Sequence, residues 1–239
     1  MAIIDKPNLH FETSLYTGTG SSLAISSLNF APDLVWIKGR SGATEHVLTD
    51  SVRGVTKELS SNDSGAEETV AQGLTAFGSD GFTVGTDGSY NTSSATYASW
   101  NFKAGTAFTN DASATGIGDI DSSGSANTTS GFSIVSWTGT GSSGDQEIVT
   151  GLSTELKFVI SKPRTTGGAT DQWLVYVNGV TDAQDNCLLL NATNALVTGA
   201  SGGTPNKGAT AGNLLIKAGT STNNNLNNSG TTYIAYCFA

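Results

Sequence analysis

The chain has 239 residues, 37% of them hydrophobic and 13% charged, where an average soluble domain carries about 25% charged residues. Its formal net charge of −9 argues against a nucleic-acid partner, because a polyanion is repelled over most of such a surface. No apolar run is long enough to span a membrane, and polarity drawn from Ser, Thr, Asn and 30 Gly suits turns and strands better than long helices.

The opening "MAIIDKPNLHFET" sets an acid and a proline where a signal peptide needs a continuous apolar stretch. Folding in a reducing cytoplasm is the expectation, so Cys187 and Cys237 are read as buried thiols rather than a disulfide. The Asn-x-Ser/Thr sequons at Asn91, Asn127, Asn191 and Asn227 then carry little meaning. Short apolar runs follow: "SLAISSL", "DLVWIK", "HVLTD", "LTAF", "GFTVG" and "TYASWNF". Gly, Asn, Asp and Ser clusters separate them, the pattern of an antiparallel sandwich. "SDGF" and "TDGS" place Asp-Gly pairs where tight hairpins need positive φ. One stretch, "SGAEETVAQGL" from Ser64, fits a short helix with Ser64 as cap. In "LVWIK" the side chains of Val35 and Ile37 oppose those of Leu34, Trp36 and Lys38. In "TYASWNF" Tyr97 opposes Trp100 and Phe102.

Several phrases recur in order. "FETSLYTGTGSS" from Phe11 matches "FSIVSWTGTGSS" from Phe132 at an offset of 121, and "LVWIKGR" from Leu34 matches "FVISKPR" from Phe158 at 124. "NTSSATYASWNF" from Asn91 matches "NNSGTTYIAYCF" from Asn227 at 136, with five of 12 positions identical. An offset that grows along the chain is that of two related units with insertions in the second, not of a short solenoid repeat. The expected fold is therefore all-β, two tandem antiparallel β-sandwiches (jelly-roll) produced by an internal duplication. The expected domains are 1–105 and 131–239, with a Gly/Ser/Thr/Asn-rich linker at 106–130.

Candidate chemistries are few. Gly139, Gly141 and Gly144 spell the dinucleotide pattern G-x-G-x-x-G, but the strand-like "GDQEIVTGL" follows where a helix should open, and the first copy has Leu23 at the third glycine. A loop between strands fits better. "DIDSSG" offers Asp119, Asp121 and Ser123 like the start of a calcium loop, yet position 12 is Ser130, so an acidic linker is expected and no metal site. His10 and His46 have no defensible triad spacing. Glu45, Asp50, Glu58, Glu67 and Glu68 are expected to be solvated surface charge, so no catalytic residue is assigned. Lys38 and Arg40, and again Lys162 and Arg164, place Lys-x-Arg at the same strand end. They either pair with a carboxylate or blunt a sheet edge, or contact a neighbouring subunit or an acidic sugar. Trp36, Trp100, Trp137 and Trp173 are read as core packing rather than sugar platforms.

The ordered set "PDLVWIKGRSG", "DSVRG", "LSSN", "SDGFTVG" and a closing Tyr and "SW" resembles the repeated domain of structural and tail proteins of marine bacteriophages. The second unit, ending "TYIAYCF", is similar to a variant of it but lacks "PD" and "DSVRG". The resemblance implies a concanavalin A-like β-sandwich, no enzymatic activity and no cofactor. It implies a virion protein: a short tail fibre or knob, a tail attachment subunit or a head-decoration subunit, assembled in the host cytoplasm. Other virion proteins, further copies of the chain and a host surface glycan are the implied partners. The alternatives are a lectin-like receptor-binding module and, further off, a polysaccharide depolymerase.

Overall fold

The computed structural model describes residues 4–167, 171–181, 186–198, 205–217 and 225–239. The protein is all-β and its sheets are antiparallel, an arrangement consistent with a β-sandwich. The chain forms two compact units. Unit 1 comprises Met1–Asn62 and Glu67–Gly105; unit 2 comprises Asp63–Ala66 and Thr106–Ala239.

Unit 1 contains β1 (Phe11–Thr17), β2 (Leu23–Ile25), β3 (Leu34–Gly39), β4 (His46–Asp50), β5 (Lys57–Ser60), β6 (Glu68–Thr69), β7 (Leu74–Gly78), β8 (Gly81–Val84) and β9 (Thr96–Phe102). They form a six-stranded sheet, β1-β9-β3-β4-β5-β6, and a three-stranded sheet, β2-β8-β7. Alternation sets the core as the sequence implies. Val35, Ile37, Val47 and Tyr97 of the large sheet meet Ile25, Leu74, Phe82 and Val84 of the small one. Tyr90, on the single turn α1 (Gly88–Asn91), completes the cluster.

Unit 2 contains β10 (Thr106–Asn110), the turn α2 (Ala112–Thr115), β11 (Ser122–Asn127), β12 (Phe132–Thr138), β13 (Asp145–Ile148), β14 (Phe158–Pro163), β15 (Leu174–Val177), β16 (Leu188–Leu189), β17 (Pro205–Lys207), β18 (Leu214–Lys217) and β19 (Thr232–Phe238). The sheets are β10-β11-β12-β19-β14-β15-β16 and β13-β18-β17. The final strand, β19, lies between β12 and β14 and is buried along most of its length. Val135, Trp137, Val159, Tyr176, Tyr233 and Cys237 pack with Ile148, Leu214 and Ile216. Cys187 and Cys237 are buried free thiols.

Three local expectations are corrected. Residues 106–130 are not a connector: β10 and β11 pair with each other, and β11 pairs with β12 along Ser122–Asn127. Gly124 made this segment look loose, but a Cβ there would run into Ile134 O and stand 2.9 Å from the ring of Phe108 opposite, so the glycine makes room for the close neighbouring strand and for an aromatic. The stretch from Ser64 is no helix. Val70 donates its N–H to Thr56 O, and Glu68–Thr69 pairs with β5, so contacts distant in sequence override propensity. "TDGS" does not close a hairpin either; Asp87 caps α1 through Ser89 N.

Candidate functional site

The twice-written "TGTGSS" is a structural turn in both units. Gly18 and Gly139 face backbone that a Cβ would run into, the carbonyls of Thr92 and Asn228. Gly20 and Gly141 have φ of 72° and 73°, where glycine is least strained. A buried asparagine holds each turn from below. Asn91 Oδ1 accepts from Thr19 N at 2.7 Å, and Asn227 Oδ1 accepts from Thr140 N at 2.8 Å. The phosphate-loop pattern is thus spent on packing, and β13 follows it rather than a helix. The same burial puts the side chains of the sequons Asn91 and Asn227 at 0% and 1% exposure.

The four predicted cations divide by unit and by use. In unit 1, Lys38 Nζ donates to Thr44 O and Thr44 Oγ1, both at 3.2 Å, while Arg40 is exposed. In unit 2, Lys162 is fully buried, with Nζ donating to Ser64 O and Pro163 O, and Arg164 Nη1 donates to Ser136 Oγ at 3.1 Å. Burial pulls the Lys162 ammonium down to about 8, against the opposing pull of Asp171 and Asp63. The unfolded chain keeps that proton up to the ordinary lysine range, so stability is expected to rise with pH above 8. Cys187 and Cys237, raised by burial to about 11 and 12, act oppositely above their ordinary range. The window is therefore pH 8 to 9. Melting temperature should climb across it in the native chain, and Lys162→Met should flatten the slope.

Two carboxylates expected at the surface are instead buried. Asp50 forms an ion pair with Arg53. Glu58 is raised by burial, with Tyr90 as hydrogen-bond partner and Asp87 and Glu68 nearby, and its Oε2 has no hydrogen-bond partner among the described residues. Of the four tryptophans, Trp137 and Trp173 are core residues as expected, but Trp100 is 37% exposed and meets Trp36 edge-on at 6.2 Å.

An open cleft of about 610 Å³ lies in unit 2. The end of β10 supplies Asn110, the cap of α2 supplies Asp111, and the connector to β11 supplies Asp119 and Asp121. Ser123 of β11 and Thr138 of β12 line it, as does Thr140 of the repeated turn. Trp137 sits below, its Nε1 bonded to Leu226 O and so withheld from any ligand. Backbone bonds fix the acids. Asp119 Oδ2 accepts from Glu147 N at 2.7 Å and Asp121 Oδ1 from Ala112 N at 2.9 Å. Asp111 caps α2 through Ala114 N, and its bonds, that from Ser113 Oγ foremost, hold its carboxyl below the usual range. Asp119 Oδ1 and Asp121 Oδ2 take no hydrogen bond among the described residues and remain exposed, as do the hydroxyls of Ser123 and Thr138. Fixed acceptors beside hydroxyls suit a neutral polyhydroxylated ligand; an anion would meet like charge. Among the described residues no group of three or more His, Cys, Asp or Glu could hold a metal ion. In the sequence Asp119 and Asp121 stand within an acidic, linker-like stretch; in the structure they line the cleft. The outward Ser and Thr of neighbouring strands were the missed signal.

A family model described as a domain of unknown function, DUF7483, matches residues 6–239. The chain belongs to the DUF7483 family. The DUF7483 match runs through both compact units. No curated protein and no solved structure matches the chain. No helix among the described residues of this DUF7483 member is long and apolar enough to cross a membrane.

Proposed function

We propose that this DUF7483 chain is a non-enzymatic surface protein of a bacteriophage virion that binds neutral host-surface glycan through the unit 2 cleft. Its fold is read as two tandem concanavalin A-like sandwiches from an internal duplication. Matched geometry supports the duplication. Tyr16 stacks on Tyr97 at 5.1 Å and 14°, as Trp137 stacks on Tyr233 at 5.3 Å and 16°. Tyr97 Oη accepts from Thr92 N, and Tyr233 Oη from Asn228 N, both at 2.8 Å. The ordered phage-like phrases support the virion assignment, as a tail-fibre, attachment or head-decoration subunit.

The cleft carries the binding half. Its acceptors are anchored at one oxygen by backbone N–H groups and open at the other, an arrangement that orients sugar hydroxyls without reorganisation. Asp111 is biased towards its charged form, the reverse of what the general acid of a glycosidase needs. The test is a glycan array followed by titration of the best hit. Neutral saccharides should bind, no reducing sugar should be released, and Asp121→Asn should weaken binding roughly tenfold, the worth of one charged hydrogen bond. An empty array refutes the glycan role. Failure of antibodies to label intact particles refutes the virion role.

A further inference from the structure

β1 is the edge strand of the six-stranded sheet in unit 1, and no strand among the described residues pairs with its outer edge. Lys103 N bonds to His10 O and Gly18 N to Ala95 O, so the even-numbered residues between them turn their backbone groups towards β9. Phe11, Thr13, Leu15 and Thr17 therefore aim N–H and C=O away from the sheet, and no hydrogen bond among the described residues reaches them there. β1 holds no Pro, Lys, Arg or bulge, and its one charged side chain, Glu12, is half-buried and accepts hydrogen bonds from Asn29 N and Nδ2. Its exposed face carries two large apolar side chains, Leu15 at 66% and Phe11 at 42% exposure, alternating with Thr13 and Thr17 and lying beside Trp100 of β9. In unit 2 the strand in the same place, β12, pairs with β19 on one side and has its other edge covered by β11.

We infer that β1 pairs antiparallel with β1 of a second copy of this chain, about a two-fold axis at Thr13. The register is self-complementary. Thr13 meets its own counterpart, and Phe11 meets Leu15 of the other copy, each as a pair that exchanges both backbone bonds. On the outer face the aromatic ring covers the leucine twice. On the inner face Glu12 falls opposite Ser14, so no like charges are apposed. A second copy fits this edge better than an unrelated strand because one register satisfies both the backbone groups and the two large exposed side chains. The inference is independent of the glycan and virion assignments.

Sedimentation of the full chain should show a concentration-dependent dimer. Its dissociation constant should be on the order of micromolar, since one strand pair buries less than a standard interface. Added salt should strengthen it by screening the net charge of −9 on each copy. Leu15→Arg, at a side chain outside the core, should weaken the dimer at least tenfold. Thr13→Pro removes an outward N–H that no intrachain bond uses, and should leave a monomer with an unchanged circular dichroism spectrum. Position 13 is self-facing, about 5.5 Å between Cα atoms for such a pair, so Thr13→Cys should cross-link on oxidation or with a short bis-maleimide. Thr17→Cys should not, and the native thiols are buried. A monomer at all concentrations, a dimer unaffected by Leu15→Arg, or equal cross-linking at 13 and 17 overturns the inference.

Discussion

Arg53→Ala is expected to cost about 3–5 kcal/mol of folding stability, the loss seen when one partner leaves a buried ion pair. Arg53 Nε lies 2.5 Å from Asp50 Oδ2, and both side chains are at 0% exposure. The same guanidinium donates to Leu48 O at 2.8 Å and reaches Glu67 Oε2 at 3.4 Å. Asp50 Oδ1 meanwhile accepts from Val52 N and Arg53 N, which folds residues 50–54 into a turn closed at Gly54, with φ 98°. Alanine would strand a carboxylate and a carbonyl in the interior. Melting should fall by on the order of 10 °C. The double substitution Asp50→Ala with Arg53→Ala should lose less than the two singles combined, because the stranded charge leaves with its partner. The exposed pair of Lys207 with Glu155 is the contrast: solvent screens it, and Lys207→Ala should leave the midpoint in place. Urea and thermal unfolding measure all of these. A loss for Arg53→Ala no larger than that of a surface substitution would show that the pair is not the clamp of this turn.

"DSVRG" was conspicuous in the sequence as a phrase, but its role was not, because an ion pair between positions three apart reads as surface charge until β4 and β5 close over it. The same blindness applies to Glu58. What was legible was periodic or repeated. The alternation of Val35 and Ile37 fixed the buried face of β3, and the two "TGTGSS" copies marked equivalent turns. What was not legible depended on partners far along the chain. Gly124 looks like a linker residue unless Phe108 is known to lie across it. The cleft is assembled from separate segments of common residue types, so no local pattern announces it. Trp100 shows a further limit: its strand register was evident, but whether its face of the sheet is covered was not.

The deepest effect on the repeated turn is expected from Asn91. Its side chain is at 0% exposure; Nδ2 donates to Ser21 O at 2.5 Å and to Gly85 O at 2.6 Å, while Oδ1 accepts from Thr19 N. Asn91→Ala removes all three bonds and should cost about 2–4 kcal/mol. Asn227→Ala should act in the same direction but less strongly, since its donor reaches Ser142 O only at 3.2 Å. Asn91→Asp separates hydrogen bonding from packing. The carboxylate keeps the acceptor for Thr19 N but turns its other oxygen on two carbonyls, so at neutral pH it should be at least as damaging as alanine. Protonation restores a donor. Folding therefore holds that carboxyl's proton more tightly than the unfolded chain does, and stability is lost as pH rises from the ordinary aspartate range. The melting difference between Asn91→Asp and the native chain should be smaller at pH 4 than at pH 7, while that of Asn91→Ala stays constant. A pH-independent Asn91→Asp deficit would mean that the amide fills space under the turn rather than tying its strands together.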